Sequence, residues 1–209
     1  MTTSHRIGWT RDLILAPRHG LCLDFANTLS WRGSEPRENL HGFKDLLDWC
    51  VGADAIPARV AEKMRTWSAA HPTQAADVFS EALAIREIIY KVFHAAASDD
   101  APAEDVLRLL NNNLKRAPLR ISVERDAGGF GWRVEATEAA ATTLLAPILW
   151  SAGDLLVGPQ LRRVRQCANE RCLWLFHDDS KNGSRRWCSM KFCGNRAKAQ
   201  RHYLRQKQD

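Results

Sequence analysis

Four of the six cysteines in this 209-residue chain fall in one short stretch, as Cys167-x4-Cys172, fifteen intervening residues, then Cys188-x4-Cys193. Four thiolates can close a tetrahedral shell around one zinc ion, provided the chain between the pairs turns back on itself. Asn182-Gly183 is a strong signal for such a turn, with short strands expected at residues 173–177 and 185–188. After Cys193, residues 194–208 contain helix formers and no breaker. The expected unit is therefore knuckle, hairpin, helix. A segment of about 50 residues buries too little apolar surface to be secure alone, and a metal supplies the staple. A complete four-cysteine shell leaves no open coordination position, so the zinc is expected to be single and structural. His177 and His202 are alternative ligands that this set does not need. Zinc is favoured over a redox or disulfide role and over an iron–sulfur cluster, whose usual spacings differ. Cys22 and Cys50 read as small buried apolar residues.

Charge divides at the same place. Residues 1–158 carry 17 Lys+Arg and 20 Asp+Glu, whereas residues 159–209 carry 13 Lys+Arg and 4 Asp+Glu, a local net charge of +9. A near-neutral body with a strongly basic end points to a phosphate-bearing partner. Hydrophobic residues at 45% and charged residues at 26% exclude a disordered or collagen-like chain. No apolar run reaches the roughly 18 residues that span a bilayer, and the first residues lack a secretory signal, so a cytoplasmic protein without membrane contact is expected.

The composition shift at Gly158-Pro159 sets the expected domain boundary, with domains at 1–158 and 159–209. The first reads as mainly α, with helical periodicity over residues 43–53, 57–70, 75–97 and 103–114. A small β-hairpin is expected from the alternation in residues 120–125 and at Trp132 and Val134. A last helix over residues 138–157 carries Pro147 as a kink.

Cys167-Ala-Asn-Glu-Arg-Cys172, the Asn182-to-Met190 stretch and Cys193-Gly194-Asn195-Arg196 together resemble the CGNR zinc-finger family of bacterial proteins. Gly20-Leu-Cys-Leu-Asp24-Phe-Ala-Asn27-Thr28-Leu29 is similar to the opening of the ABATE-type domain that usually precedes this finger. The resemblance covers nearly the whole chain. It implies a transcription regulator, with DNA binding by the finger and signal sensing by the N-terminal domain.

Independently, Lys198, Arg201, His202 and Arg205 recur at i, i+3, i+4 and i+7, which places them on one helical face. Ala199 and Tyr203 lie on another side and are expected to pack on the hairpin. Arg185, Arg186 and Lys191 precede this helix. Such a surface suits phosphate neutralisation and entry into a major groove. Asn195 reads as a support beside the metal; for Arg196, support and phosphate contact are equally open.

In the helix over residues 75–97, Arg86 interrupts an apolar face of Phe79, Ala82, Ile89 and Phe93, while Asp77, Glu81, Glu87 and Lys91 form the polar face. A buried guanidinium requires an internal carboxylate or an anionic ligand. If residues 21–31 are helical, Asp24, Asn27, Thr28 and Trp31 share one face. Asp24 and Arg86 then form either an internal brace or, with Asn27 and Thr28, a small-molecule effector pocket. Trp49 and Trp150 read as core.

The expected function is DNA binding, most simply to duplex DNA and with a homodimer doubling the footprint. The alternatives are an RNA-binding module that stacks bases on Trp174, Phe176 and Trp187, or a zinc-stapled protein-interaction adaptor. An enzyme is not expected, since the chain lacks a phosphate loop, a nucleophile elbow and a His-Glu-x-x-His site.

Overall fold

The computed structural model describes residues 13–14, 16–126, 129–134 and 140–207. Strand β1 (Leu13–Ile14) leads into helix α1 (Leu21–Ala26), in which Leu21, Cys22, Leu23, Phe25 and Ala26 are buried. Apart from Asp24, which faces solvent, this helix is apolar, and such a helix belongs in the core of a domain. The expected helix over residues 21–31 stops there: Asn27 caps it, and the chain enters the hairpin β2 (Leu29–Ser30) and β3 (Arg37–Glu38). The helical face proposed for Asp24, Asn27, Thr28 and Trp31 therefore does not exist, because the last two lie outside the helix.

Helices α2 (Phe43–Gly52), α3 (Ala58–Ala70), α4 (Pro72–Ala97) and α5 (Glu104–Arg116) follow close to the expected positions. Strands β4 (Arg120–Asp126) and β5 (Gly129–Val134) form the expected hairpin, and β1 extends it into an antiparallel sheet of order β1-β5-β4. The expected last helix is two. Helix α6 (Ala141–Leu144) ends at Leu145, and α7 (Ala146–Val157) starts with Pro147 in its first turn. Proline lacks the N–H that a helix interior uses, so it opens a helix here rather than kinking one. Residue 138, the expected start, lies outside the described residues.

Helices α1 and α7 run through the middle of the core. Phe25, Leu46, Leu47, Ile89, Phe93, Leu144 and Leu149 are at most 0% exposed around them. Trp49 stacks obliquely on Phe25 at 5.2 Å, and Trp150 is buried with its Nε1 donating to Pro118 O at 3.2 Å, so both tryptophans are core. Cys22 and Cys50 are buried, and burial pushes both thiols up to about 12, which keeps them protonated and inert.

After a 3-10 turn (Pro159–Arg163), strand β6 (Val164–Gln166) pairs antiparallel with β7 (Leu175–His177). This corrects the expected hairpin. The partner of residues 175–177 is the strand before the first knuckle; residues 185–188 form no strand, and Asn182-Gly183 only turns a loop, with Gly183 at φ +61. A single wide turn (Met190–Gly194) then feeds helix α8 (Asn195–Gln206). The fold is mainly α with small antiparallel hairpins, and no helix among the described residues is long and apolar enough to cross a membrane.

Candidate metal centre and nucleic-acid interface

The β6–β7 pairing brings Cys167 and Cys172 to the two ends of a tight knuckle, in which the Cys167 N–H donates to Trp174 O at 2.8 Å. The second pair arrives by a loop pinned to that knuckle, where the Ala168 N–H donates to Arg186 O at 2.9 Å. All four Sγ atoms lie within 4.8 Å of one another. Cys172 to Cys188 and Cys188 to Cys193 are each 3.8 Å. Sulfurs held about 2.3 Å from one tetrahedral zinc lie about 3.8 Å apart, whereas a disulfide requires about 2.05 Å. The donor set therefore fits one structural zinc, and Cys167, Cys172, Cys188 and Cys193 are the residues that would hold it. When bound, the ion supplies the positive charge that lets four crowded thiols ionise together. Without it they must share protons. Hydrogen bonds from the Cys172 and Cys188 thiols hold Cys167 well below the usual thiol value, and the same contacts push Cys172 and Cys188 up.

The amide support beside the metal is Asn169, whose Nδ2 donates to Cys193 Sγ at 3.4 Å. Asn195, the expected support, is exposed at the start of α8. His177 is occupied away from the sulfurs, by Asp179 at 2.7 Å and Gln160 at 3.1 Å. Phe176, Trp174 and Trp187 pack on the cysteines as a second small core. Gly194 packs closely there: a Cβ would stand 2.7 Å from Met190 Sδ and 3.3 Å from the Trp187 ring, so the Met190 side chain would have to move aside.

This small unit is docked on the helices. Asn27 pairs with the β7 backbone, Tyr90 Oη donates to Leu173 O at 3.1 Å, and Gln166 Nε2 reaches both Tyr90 Oη at 3.3 Å and His94 Nδ1 at 2.9 Å. A profile of the ABATE family, described as "Putative stress-induced transcription regulator", matches residues 19–159. That is two-thirds of the chain. The chain belongs to the ABATE family. A CGNR zinc-finger profile matches residues 163–206, so the two profiles together take in both units just described. Both families are of regulator and zinc-finger type, and neither is enzymatic. A search of the curated proteins finds no match.

The basic residues of the CGNR finger fall into two groups. Arg185 is exposed but tied to the finger: its guanidinium donates to Trp187 O and Cys188 O and lies 4.6 Å from the centre of the Phe176 ring. Arg163 likewise holds the carbonyls of Asp178 and Ser180. Arg196 stacks on Trp31 of the ABATE domain at 4.8 Å. Arg186, Lys191 and Lys198 are exposed. The side chains of Arg201, His202 and Arg205 lie outside the described residues, although all three belong to α8. Ala199 and Tyr203 do not pack on the finger as expected. Both are exposed, and Lys207 lies 4.8 Å from the Tyr203 ring.

A residue the sequence reading passed over shapes the loop carrying Arg185 and Arg186. Asp178 is 0% exposed and accepts from Ser180 N at 2.9 Å, Ser180 Oγ at 2.5 Å and Arg185 N at 3.0 Å. Burial alone would raise its carboxyl, but these hydrogen bonds bring it below the ordinary value. The Asp-x-Ser spacing, typical of a side chain that caps its own turn, is the signal that could have found it.

In the ABATE domain Arg86 is buried at 3% exposure, as expected, but its partner is not Asp24. Arg86 grips Glu38 with both nitrogens, at 2.7 and 2.8 Å, and donates to Glu87 at 2.9 Å and Thr28 Oγ1 at 3.2 Å. Glu87, assigned to the polar face of α4, is in fact half-buried and also pairs with Arg32 at 2.6 Å. Asp24 is exposed and pairs with Arg18 at 2.5 Å. The hairpin β2–β3 is what brings Glu38 to Arg86, while Asp24 stays on the exposed side of α1. Two internal carboxylates satisfy the guanidinium, which removes the need for an anionic ligand. Asp24 and Asn27 line a small cavity of 230 Å³ against Trp174 and Phe176, and Thr28 and Arg86 do not.

Proposed function

We propose that this protein is a cytoplasmic, DNA-binding transcription regulator without catalytic activity, in which the zinc-fixed CGNR finger presents α8 and the Arg186-to-Lys191 loop to duplex DNA. The observation that carries this reading is the union of charge and anchoring. A unit of net charge +9 starts its terminal helix two residues beyond Cys193, so the metal orients the helix rather than leaving it to fray. Lys198 is exposed on α8, on the face where residues 201, 202 and 205 recur at helical spacing. Arg186 and Lys191 add positive charge beside it, while Arg185 and Arg196 serve as supports for the surface. The ABATE domain is the part suited to effector sensing or to forming a homodimer. Any effector site lies away from Arg86, whose charge is already met.

The test is binding of the zinc-loaded protein to fully paired duplex DNA and to RNA across a salt series, beside a variant carrying Lys198→Ala, Arg201→Ala and Arg205→Ala. The expected result is tight duplex binding that weakens steeply with salt, and a variant that binds more weakly with a slope reduced by up to about 3. Preference for RNA would favour the RNA-binding alternative. No binding at any salt concentration would overturn the reading and favour a protein-interaction adaptor.

A further inference from the structure

Where the finger meets the ABATE domain, Trp31, Trp187, Arg171, Arg196, Asn169 and Gln200 line a cleft of 410 Å³. Its size falls in the range of small-molecule sites, roughly 300–1,000 Å³. Two tryptophans and two arginines line it from four parts of the chain: the turn after β2, the knuckle, the loop before Cys188 and α8. Trp31 is held at φ +56, in the left-handed region that a glycine would occupy at lower cost. The turn is closed by the Ser34 N–H donating to Trp31 O at 3.0 Å, and Ser34 Oγ reaches Arg171 O at 3.4 Å. Backbone strain of this kind on a bulky side chain is characteristic of ligand clamps, where the ring itself is what the position keeps. The Arg196 guanidinium carbon already lies over that ring, 4.8 Å from its centre. The paired guanidinium and indole, Trp187 and the Gln200 amide all line the cleft.

We infer that this cleft is a nucleotide site, taking a planar base on the aromatic side chains and its phosphate on Arg171 and Arg196. Flat indole and guanidinium faces stack on any heteroaromatic base, and guanidinium forks match phosphate oxygens. The nucleotide has two sources, a free mononucleotide or an unpaired base of a bound strand. Only the second rests on the nucleic-acid reading above. Because Trp31 belongs to the ABATE domain and the remaining residues to the finger, an occupant of either source ties the two units together.

Binding to the full-length, zinc-loaded protein is measured with the four ribonucleoside monophosphates. In parallel it is measured with duplexes carrying one unpaired base or an abasic residue at the same place. Trp31→Ala is compared with Trp31→Phe, which keeps a ring, and with wild type; melting temperature and zinc content confirm that each variant is folded. Saturable mononucleotide binding that falls about tenfold in Trp31→Ala and is largely kept in Trp31→Phe supports a free nucleotide. A preference for the unpaired base over the abasic duplex that disappears in Trp31→Ala supports a strand-borne one. If folded Trp31→Ala matches wild type in both arms, the inference is overturned. Binding to fully paired duplex depends on the α8 charges and not on Trp31, so failure of that binding overturns the proposed function separately.

Discussion

Asn27 and Leu175, 148 positions apart in the chain, are joined by two buried hydrogen bonds: Asn27 Nδ2 donates to Leu175 O at 2.7 Å, and the Leu175 N–H donates to Asn27 Oδ1 at 3.0 Å. One amide thus acts as an extra rung for strand β7 and fixes the finger to the C-terminal cap of α1. Asn27→Ala leaves a buried N–H and a buried carbonyl unpaired, at a cost of about 2–4 kcal/mol. The expected outcome is a lower melting temperature with zinc retained, and faster amide exchange at Leu175. Unchanged exchange there would refute the clamp.

The metal centre makes its own prediction. The protein should bind one equivalent of zinc, and Cys188→Ser or Cys193→Ser should lose it, because three thiolates in so small a core cannot hold the turn and the loop together. The helical core has its own large apolar cluster, so circular dichroism should show most of the helix surviving. A variant that keeps a full equivalent of zinc would exclude the four-cysteine shell.

Arg86 holds two carboxylates together in a largely dry place, with 4% of its side chain exposed. Arg86→Met removes the only ion-pair partner of Glu38 among the described residues, while Glu87 keeps Arg32, and should destabilise the fold by about 2–3 kcal/mol. Combining it with Glu38→Gln should recover part of that loss, a non-additivity that a denaturant titration reads directly.

The same pairs set an acid limit. Burial by itself would raise Glu38 and Glu87, but hydrogen bonds and charge from Arg86 and Arg32 outweigh it and hold both below the ordinary value of 4.5. A carboxyl lowered in the folded state contributes stability that is full above its unfolded value and lost as pH falls through the folded one. Stability measured below pH 4.5 should therefore decline less steeply in the Arg86→Met, Glu38→Gln variant than in wild type.

Gly33 sets the distance between the two units. A Cβ at that position would stand 1.7 Å from the Glu170 carbonyl oxygen, a backbone atom of the zinc knuckle. Gly33→Ala must push the knuckle away from the β2–β3 hairpin, at a cost of about 1–3 kcal/mol. It should also displace Trp31 from Arg196, which near-ultraviolet circular dichroism can follow.

The metal ligands, the order of the helices and the burial of Arg86 were legible in the chain because each follows from local spacing or periodicity. Cysteine pairs with four residues between them, apolar residues at helical intervals and one guanidinium on an apolar face do not depend on what lies across the molecule. The partner of Arg86 was not legible. Glu38 reaches it only because the chain leaves α1 at Asn27 and turns through the β2–β3 hairpin, while Asp24 faces solvent on α1, and no local pattern reports either placement. The finger hairpin failed for a related reason: Asn182-Gly183 makes its turn locally, but β7 finds a better partner in β6, which also lies against α4. The exposed side of α8 was misjudged because periodicity describes a face without saying whether anything packs on it.

What the amino-acid sequence determined by itself is the chemistry: four sulfurs for one ion, a basic end of net charge +9, and helices around an apolar core. Only the tertiary structure decided the meetings between distant residues. The Asn27 clamp on Leu175, the Glu38–Arg86 pair and the Trp31–Arg196 contact each join residues whose separation in the chain carries no signal, and for the first two burial makes the pairing obligatory once the fold has closed, because a polar group removed from water must find its partner inside.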